Sequence, residues 1–332
     1  MMRPKVTIVS LGGTIAMTGA NGGPVVPTLG SEDLVAMVPE LAEIGEVAGV
    51  SFRQVPGAHL SIEDVIALAG EVERQVELGA AGVVVVQGTD TIEETAFVLD
   101  LLVRRGAPVV VTGAMRNPSL PGADGPANLL AAARVAASDV ARGLGTLVVL
   151  NDEIHAARYV QKTHTSNPGA FRSPLAGPIG WISEGVPRIA MRPAAFHHLV
   201  VSTETSPRPV ALLSVTLGDD GRLLRAAGDL GYAGLVIEGF GGGHVPAWMV
   251  PDLARLADTI PVVLASRTRR GESPRRTYGF QGSETDLLGR GLIGAGSLDG
   301  PKARLLLSLL LRTGAERPTI VKTFDHWLEL DD

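Results

Sequence analysis

Short runs of β-branched and other apolar residues recur along the chain with longer mixed segments between them. Val6–Val9, Val83–Val86, Val109–Val111 and Leu147–Leu150 fall in the first half, and Val210–Val215, Leu235–Ile237 and Val262–Leu264 in the second. Near-continuous apolar runs separated by helical segments predict parallel sheet covered on both faces. Between two such runs, Ile92, Thr95, Ala96, Leu99, Leu102 and Val103 repeat with helical spacing and predict one apolar stripe. Thr91 with Glu94 fits a capping box at the start of that helix, and Arg104, Arg105 and Gly106 suit its end. A further helix is expected over about Pro301–Leu311.

The periodicity fades over residues 192–209, a stretch rich in Pro, Ser and Thr. The expected fold is therefore α/β with two domains. A larger N-terminal parallel-sheet domain spans 1–191, a linker 192–209, and a smaller C-terminal α/β domain 210–332. A chain of 332 residues that is 45% hydrophobic has ample core for this. Its net charge of −6 provides no general attraction to nucleic acid or anionic lipid. The absence of cysteine excludes disulfides, thiol nucleophiles and thiolate metal sites. No apolar stretch reaches the roughly 18 residues of a membrane span, and no leader is evident, so a soluble cytoplasmic enzyme is expected. His197 and His198 are adjacent, and the seven histidines show no metal-ligand spacing, so no metal or organic cofactor is expected.

Ligands of parallel sheets sit beyond the carboxyl ends of the strands. Two strand ends here carry threonine: Gly12-Gly13-Thr14 after the first run, and Gln87-Gly88-Thr89-Asp90-Thr91 after the second. A threonine hydroxyl becomes nucleophilic when a neighbour removes its proton. Asp90 is a weak base for an alcohol; a lysine held neutral by desolvation would serve better, and Lys162 in a polar loop is the candidate. The glycines would let backbone N–H groups approach a substrate carbonyl. Taken alone, the same threonines also suit turn and helix capping.

"LGGTIA" and "QGTDTIEETA" together resemble the two signatures of the bacterial-type L-asparaginase family, usually TGGTIA and HGTDTMEETA. The similarity continues through "PVVVTGAMRNPSLPGADGPANLL", "GTLVVLNDEIHAARYVQKTHTSNPGAF" and "GLIGAGSLDGPKARLLL". The resemblance implies a two-domain amidohydrolase that converts L-asparagine to L-aspartate and ammonia through a threonine acyl-enzyme. It also implies a homo-oligomer, a dimer or tetramer of intimately paired subunits. By position it implies Thr14 as the acylated residue and Thr89, Asp90 and Lys162 as a second triad. Gly13 and the amide after Gly88 would serve the oxyanion.

Some recognition positions differ from the family pattern. Pro24 stands near the usual lid tyrosine, and the first tyrosine of the chain is Tyr159. Ala58 and His59 replace a serine and a glutamine that hold the α-carboxylate and amine of the substrate. Gly242 and His244 fall where an asparagine is common, and Glu284 lies near the family's acidic amine-contacting residue. The expected substrate-binding set is thus Gly13, Ala58, His59, Gly88 and Glu284. The alternatives are the same chemistry on another amide (glutamine, a D-amino acid amide, a peptide-like amide or a lactam) or a non-catalytic amino-acid sensor.

Overall fold

The computed structural model describes residues 3–13, 15, 30–104, 106–194, 198–202 and 204–327, with the backbone at 17–18 and 26–27. Thr14 and Pro24 lie outside the described residues. The chain divides into two compact units, Met1–His198 and Leu199–Asp332.

In chain order the strands of the first unit are β1 (Lys5–Ser10), β2 (Met17–Thr18), β3 (Val26–Pro27), β4 (Glu46–Ser51), β5 (Gly82–Val86) and β6 (Val109–Thr112). They continue with β7 (Thr146–Leu150), β8 (Glu153–Ala156), β9 (Gln161–Lys162), β10 (Phe171–Arg172), β11 (Gly180–Ser183) and β12 (Val186–Ile189). Eight of them form one sheet in the order β12-β11-β8-β7-β6-β5-β1-β4. The strands from β4 across to β7 are parallel. Beyond β7 the sheet turns antiparallel through β8, β11 and β12. The sheet is therefore mixed rather than purely parallel. The central strands β5, β6 and β7 are buried at every residue, as continuous apolar runs require. The edge strands β4 and β12 alternate between exposed and half-buried residues, so neither stands out as an apolar run.

The second unit has a four-stranded parallel sheet. Its strands are β13 (Val210–Ser214), β14 (Gly234–Gly239), β15 (Val262–Ser266) and β16 (Ile293–Gly294), in that spatial order. The helix expected near Pro301–Leu311 runs Gly300–Arg312, with Asp299 as its N-cap accepting from the Lys302 N–H. Among the described residues no helix is long and apolar enough to cross a membrane.

The helix Ile92–Leu102 departs from its expected form in two ways. It is not a one-sided amphipath, because every residue in it except Glu94 is buried. Nor does Thr91 cap it through its side chain, so the capping box with Glu94 is not formed. The Thr91 hydroxyl has found partners outside the helix. At the other end, Arg104 lies beyond the last turn, and its backbone N–H and guanidinium both bond to Glu73 on the neighbouring helix Ile62–Glu77.

The short hairpin β9–β10 pairs Lys162 with Phe171, and the residue after it, Ser173, is held by His155 of β8. His155 Nδ1 lies 2.9 Å from Ser173 Oγ, with the ring wholly buried. Burial, reinforced by the nearby Arg172 guanidinium, pushes the His155 pKa down to about 4. The folded protein thus keeps this ring neutral where the unfolded chain would protonate it. Its contribution to stability is complete above about pH 6.5 and is lost as the pH falls toward 4. Chemical denaturation should show unfolding free energy declining over that interval by up to about 3 kcal/mol. In His155→Gln the decline should be smaller by that amount; an unchanged slope would assign the acid sensitivity to other groups.

Candidate functional site

The site grows from three neighbouring strand ends. β1 lies between β4 and β5, in a register that sets Ser10 beside both Ser51 and Val86. The segments leaving these strands remain tied: Leu11 N–H donates to Val86 O at 2.9 Å, and Val55 N–H to Leu11 O at 3.0 Å. At this crowding, glycine becomes obligatory. A Cβ on Gly13 would lie 2.1 Å from Gly88 N, and Gly13 also has a φ of +92°. A Cβ on Gly57 would lie 2.9 Å from Gly88 O, and one on Gly88 the same 2.9 Å from Gly57 N. Gly13, Gly57 and Gly88 therefore pack backbone against backbone.

Beyond Gly88 the chain enters a 3-10 turn, Thr89–Thr91, that leads into the helix Ile92–Leu102. Thr89 is buried, while the Asp90 side chain keeps 63% of its surface exposed. Lys162 arrives from β9, more than 70 residues further along the chain. Its Nζ lies 2.9 Å from Thr89 Oγ1 and 2.8 Å from Asp90 Oδ1. The fold thus brings these three expected site residues into one hydrogen-bonded group. The Lys162 side chain keeps 15% of its surface exposed. It sits against an exposed carboxylate, so what the geometry provides is position: one nitrogen that touches both the Thr89 hydroxyl and a proton-accepting group.

Glu93 is a support that sequence reasoning missed. Its Oε2 accepts the backbone N–H of Lys162 at 2.6 Å, fastening the lysine strand to the first turn of the helix after Thr91. "IEET" contains two glutamates, and the capping pattern drew attention to Glu94 instead. Gln87 and Thr91 also do more than the motif suggests. Gln87 Nε2 donates to Thr91 Oγ1 at 3.1 Å, and Thr91 Oγ1 donates to Gly57 O at 3.1 Å.

Ala58 and His59 lie with Gly57 in a short 3-10 turn, and both are exposed. The far end of that turn is fixed by Ser61, whose hydroxyl accepts the Asp64 N–H at 3.1 Å while Asp64 accepts the Ser61 N–H at 3.1 Å. The Ser61 hydroxyl bond, ahead of the backbone bond and the Arg53 guanidinium 3.0 Å away, holds the Asp64 carboxyl below its ordinary pKa.

Glu284, Gly242 and His244 belong to the second unit. Glu284 is fully buried. Its Oε1 accepts the N–H groups of Thr277 and Tyr278 at 2.8 and 2.7 Å, and its Oε2 lies 3.2 Å from His244 Nε2. Desolvation works to raise this carboxyl, but the backbone donors, with His244 beside them, outweigh it and hold the pKa below the ordinary value. Sequence reasoning placed Glu284 among the substrate-binding residues. Within its own unit the side chain is closed over, with Oε1 held by the two loop N–H groups and Oε2 buried facing His244 without a hydrogen bond among the described residues. Gly242 makes room for the histidine: a Cβ there would lie 3.2 Å from His244 Nε2. Among the described residues no group of three or more His, Asp or Glu is placed to hold a metal ion.

Similarity to known proteins extends over nearly the whole chain. Residues 5–195 match the family model "Asparaginase, N-terminal", and residues 209–324 match "Glutaminase/Asparaginase C-terminal domain". The chain is 33% identical to the L-asparaginase of Bacillus licheniformis over 317 residues, covering 95% of this chain and 98% of that one. It is 37% identical to a probable L-asparaginase of Deinococcus radiodurans over 334 residues, covering 97% of each. The crystal structure of a probable cytoplasmic L-asparaginase from Campylobacter jejuni superposes with a TM-score of 0.88 at 30% identity, covering 97% of this chain and 99% of that one. With both family models matched in order, and a threonine, an aspartate and a lysine joined at the strand ends, the chain belongs to the asparaginase family.

Proposed function

We propose that this protein hydrolyses the side-chain amide of L-asparagine to L-aspartate and ammonia through an ester to Thr14. The observation that carries the reading is the Thr89–Lys162–Asp90 group, bonded at 2.9 and 2.8 Å beside the glycine contact of β1 and β5. In the proposed cycle the Thr14 hydroxyl attacks the amide carbon. The carbonyl oxygen gains negative charge and is met by backbone N–H groups at Gly13 and after Gly88. The C–N bond breaks as the nitrogen takes up the proton given up by the Thr14 hydroxyl, ammonia leaves, and the acyl group stays on Thr14. Water then attacks the ester, losing a proton through Thr89 to Lys162, and the acid is released while Thr14 regains its proton. Asp90, 2.8 Å from Lys162 Nζ, lies next along that path.

The exposed Ala58–His59 turn supports a second reading, the same chemistry on a different amide. Ala58 has no side-chain donor for an α-carboxylate, and His59 offers a ring nitrogen where the family pattern has an amide. A non-catalytic sensor is less well supported, since sensing would not require the Thr89–Lys162–Asp90 group. Cytoplasmic residence and a dimer or tetramer form part of the proposal. Light scattering should give two or four chain masses, and a monomer that is fully active would remove the oligomer from it.

The deciding experiment is ammonia release from L-asparagine, L-glutamine and their D-forms by the wild type, Thr14→Ala and Thr89→Val. Turnover of L-asparagine that falls by about 10³-fold or more in both variants is expected. A folded wild type silent on all four amides would overturn the asparaginase reading. Ala58→Ser should lower KM for L-asparagine by roughly tenfold, the worth of one hydrogen bond to a charged group. If KM does not move, the turn at Ala58 does not hold the α-carboxylate.

A further inference from the structure

Thr91 occupies the N-cap position of the helix Ile92–Leu102, yet its hydroxyl caps nothing. It accepts from Gln87 Nε2 at 3.1 Å and donates to the carbonyl of Gly57 at 3.1 Å, 34 residues away in sequence. Gln87 is fully buried, and its Nε2 also donates to Gly88 O at 3.3 Å. That second bond fixes the amide's orientation, because the flipped group would set its oxygen against the Gly88 carbonyl. The Gly57 carbonyl takes a further bond from the Leu60 N–H at 3.2 Å, which closes the turn carrying Ala58 and His59. Both of its accepting positions are then filled.

We propose that Gln87 and Thr91 form a positioning relay, running from the buried end of β5 to the turn at residues 57–59, that sets where Ala58 and His59 stand relative to Thr89. The Gly57–Gly88 contact limits how closely the two segments approach, and a steric contact of this kind sets a distance without choosing a lateral position. A directional chain of donors, amide to hydroxyl to carbonyl, selects one, and each bond polarises the next. Ser61, Asp64 and Arg53 pin the far end of the same turn, so Thr91 supplies the tie on the side facing Thr89. Neither Gln87 nor Thr91 takes part in the chemistry. They act through the turn, and the inference rests on the proposed amidohydrolase reading, in which that turn holds substrate.

The test is the split between KM and kcat for whichever of the four amides the wild type hydrolyses best. The variants are Thr91→Val, Gln87→Met, the double variant and Thr91→Ser, each checked for folding by thermal melting. Thr91→Val and Gln87→Met should each raise KM roughly tenfold and leave kcat within about twofold, as loss of substrate positioning without loss of chemistry requires. The double variant should be no worse than the poorer single one, since both cut one chain. Thr91→Ser, which keeps the hydroxyl, should restore KM. Unchanged KM in a folded Thr91→Val, a loss confined to kcat, or additive effects in the double variant would overturn the relay. If Thr91→Val does not fold, Gln87→Met decides alone. A wild type without activity on any of the amides would bring down the amidohydrolase reading and the relay with it; an active wild type with indifferent variants removes the relay alone.

Discussion

The meeting of three backbones without side chains, at Gly13, Gly57 and Gly88, is the constraint on which the site depends. Side chains would push these strand-end segments apart by about 1–2 Å, since the hypothetical Cβ atoms at 2.1 Å and 2.9 Å fall short of ordinary van der Waals contact. Close contact does two things at once. It places the backbone around Gly13 and Gly88 within reach of a single small ligand, and it lets polar side chains from neighbouring segments bond across the seam. Thr91 reaches Gly57 because the backbones beneath them are already close. Steric permission comes first in this architecture, and the hydrogen bonds then choose one arrangement within it.

How much of this was legible in the sequence depends on how local each interaction is. The buried strands β5, β6 and β7 announce themselves because both faces are covered and every position is apolar. β4, β11 and β12 do not, because strands with one wet face mix exposed with half-buried or buried residues over spans too short for alternation to stand out. The grouping of Thr89 and Asp90 with Lys162 could not be obtained from spacing across more than 70 residues. It was expected only because paired motifs resembled a family. Thr91 shows the opposite failure. A threonine before a helix has an obvious local use, and nothing in its neighbours reveals that a carbonyl from residue 57 will compete for the hydroxyl and win.

The two halves of the site also differ in how firmly they are built. Thr89 is buried, and the Lys162 strand is held from two sides, by Glu93 through its backbone and by the hairpin that His155 fastens through Ser173. Ala58 and His59 are exposed on a short turn tied at its ends to Thr91 and to the Ser61–Asp64 pair. Changes at exposed, end-tethered positions disturb few packed neighbours, so their cost to folding is small. Substitution at Thr89, by contrast, would break a buried hydroxyl's bond to Lys162.

Under the proposed reading, this asymmetry would let the recognition residues depart from the family pattern while the reacting ones are kept. A hydrolase that must recognise a new amide need not rebuild the glycine seam or the lysine tether. It can alter the side chains on the turn while the carbonyl of Gly57 keeps the turn in register with the chemistry. Specificity then varies independently of catalysis only so long as the tie holds. Gln87 and Thr91, which touch neither substrate nor nucleophile in this scheme, are the residues that would let one scaffold carry different recognition turns.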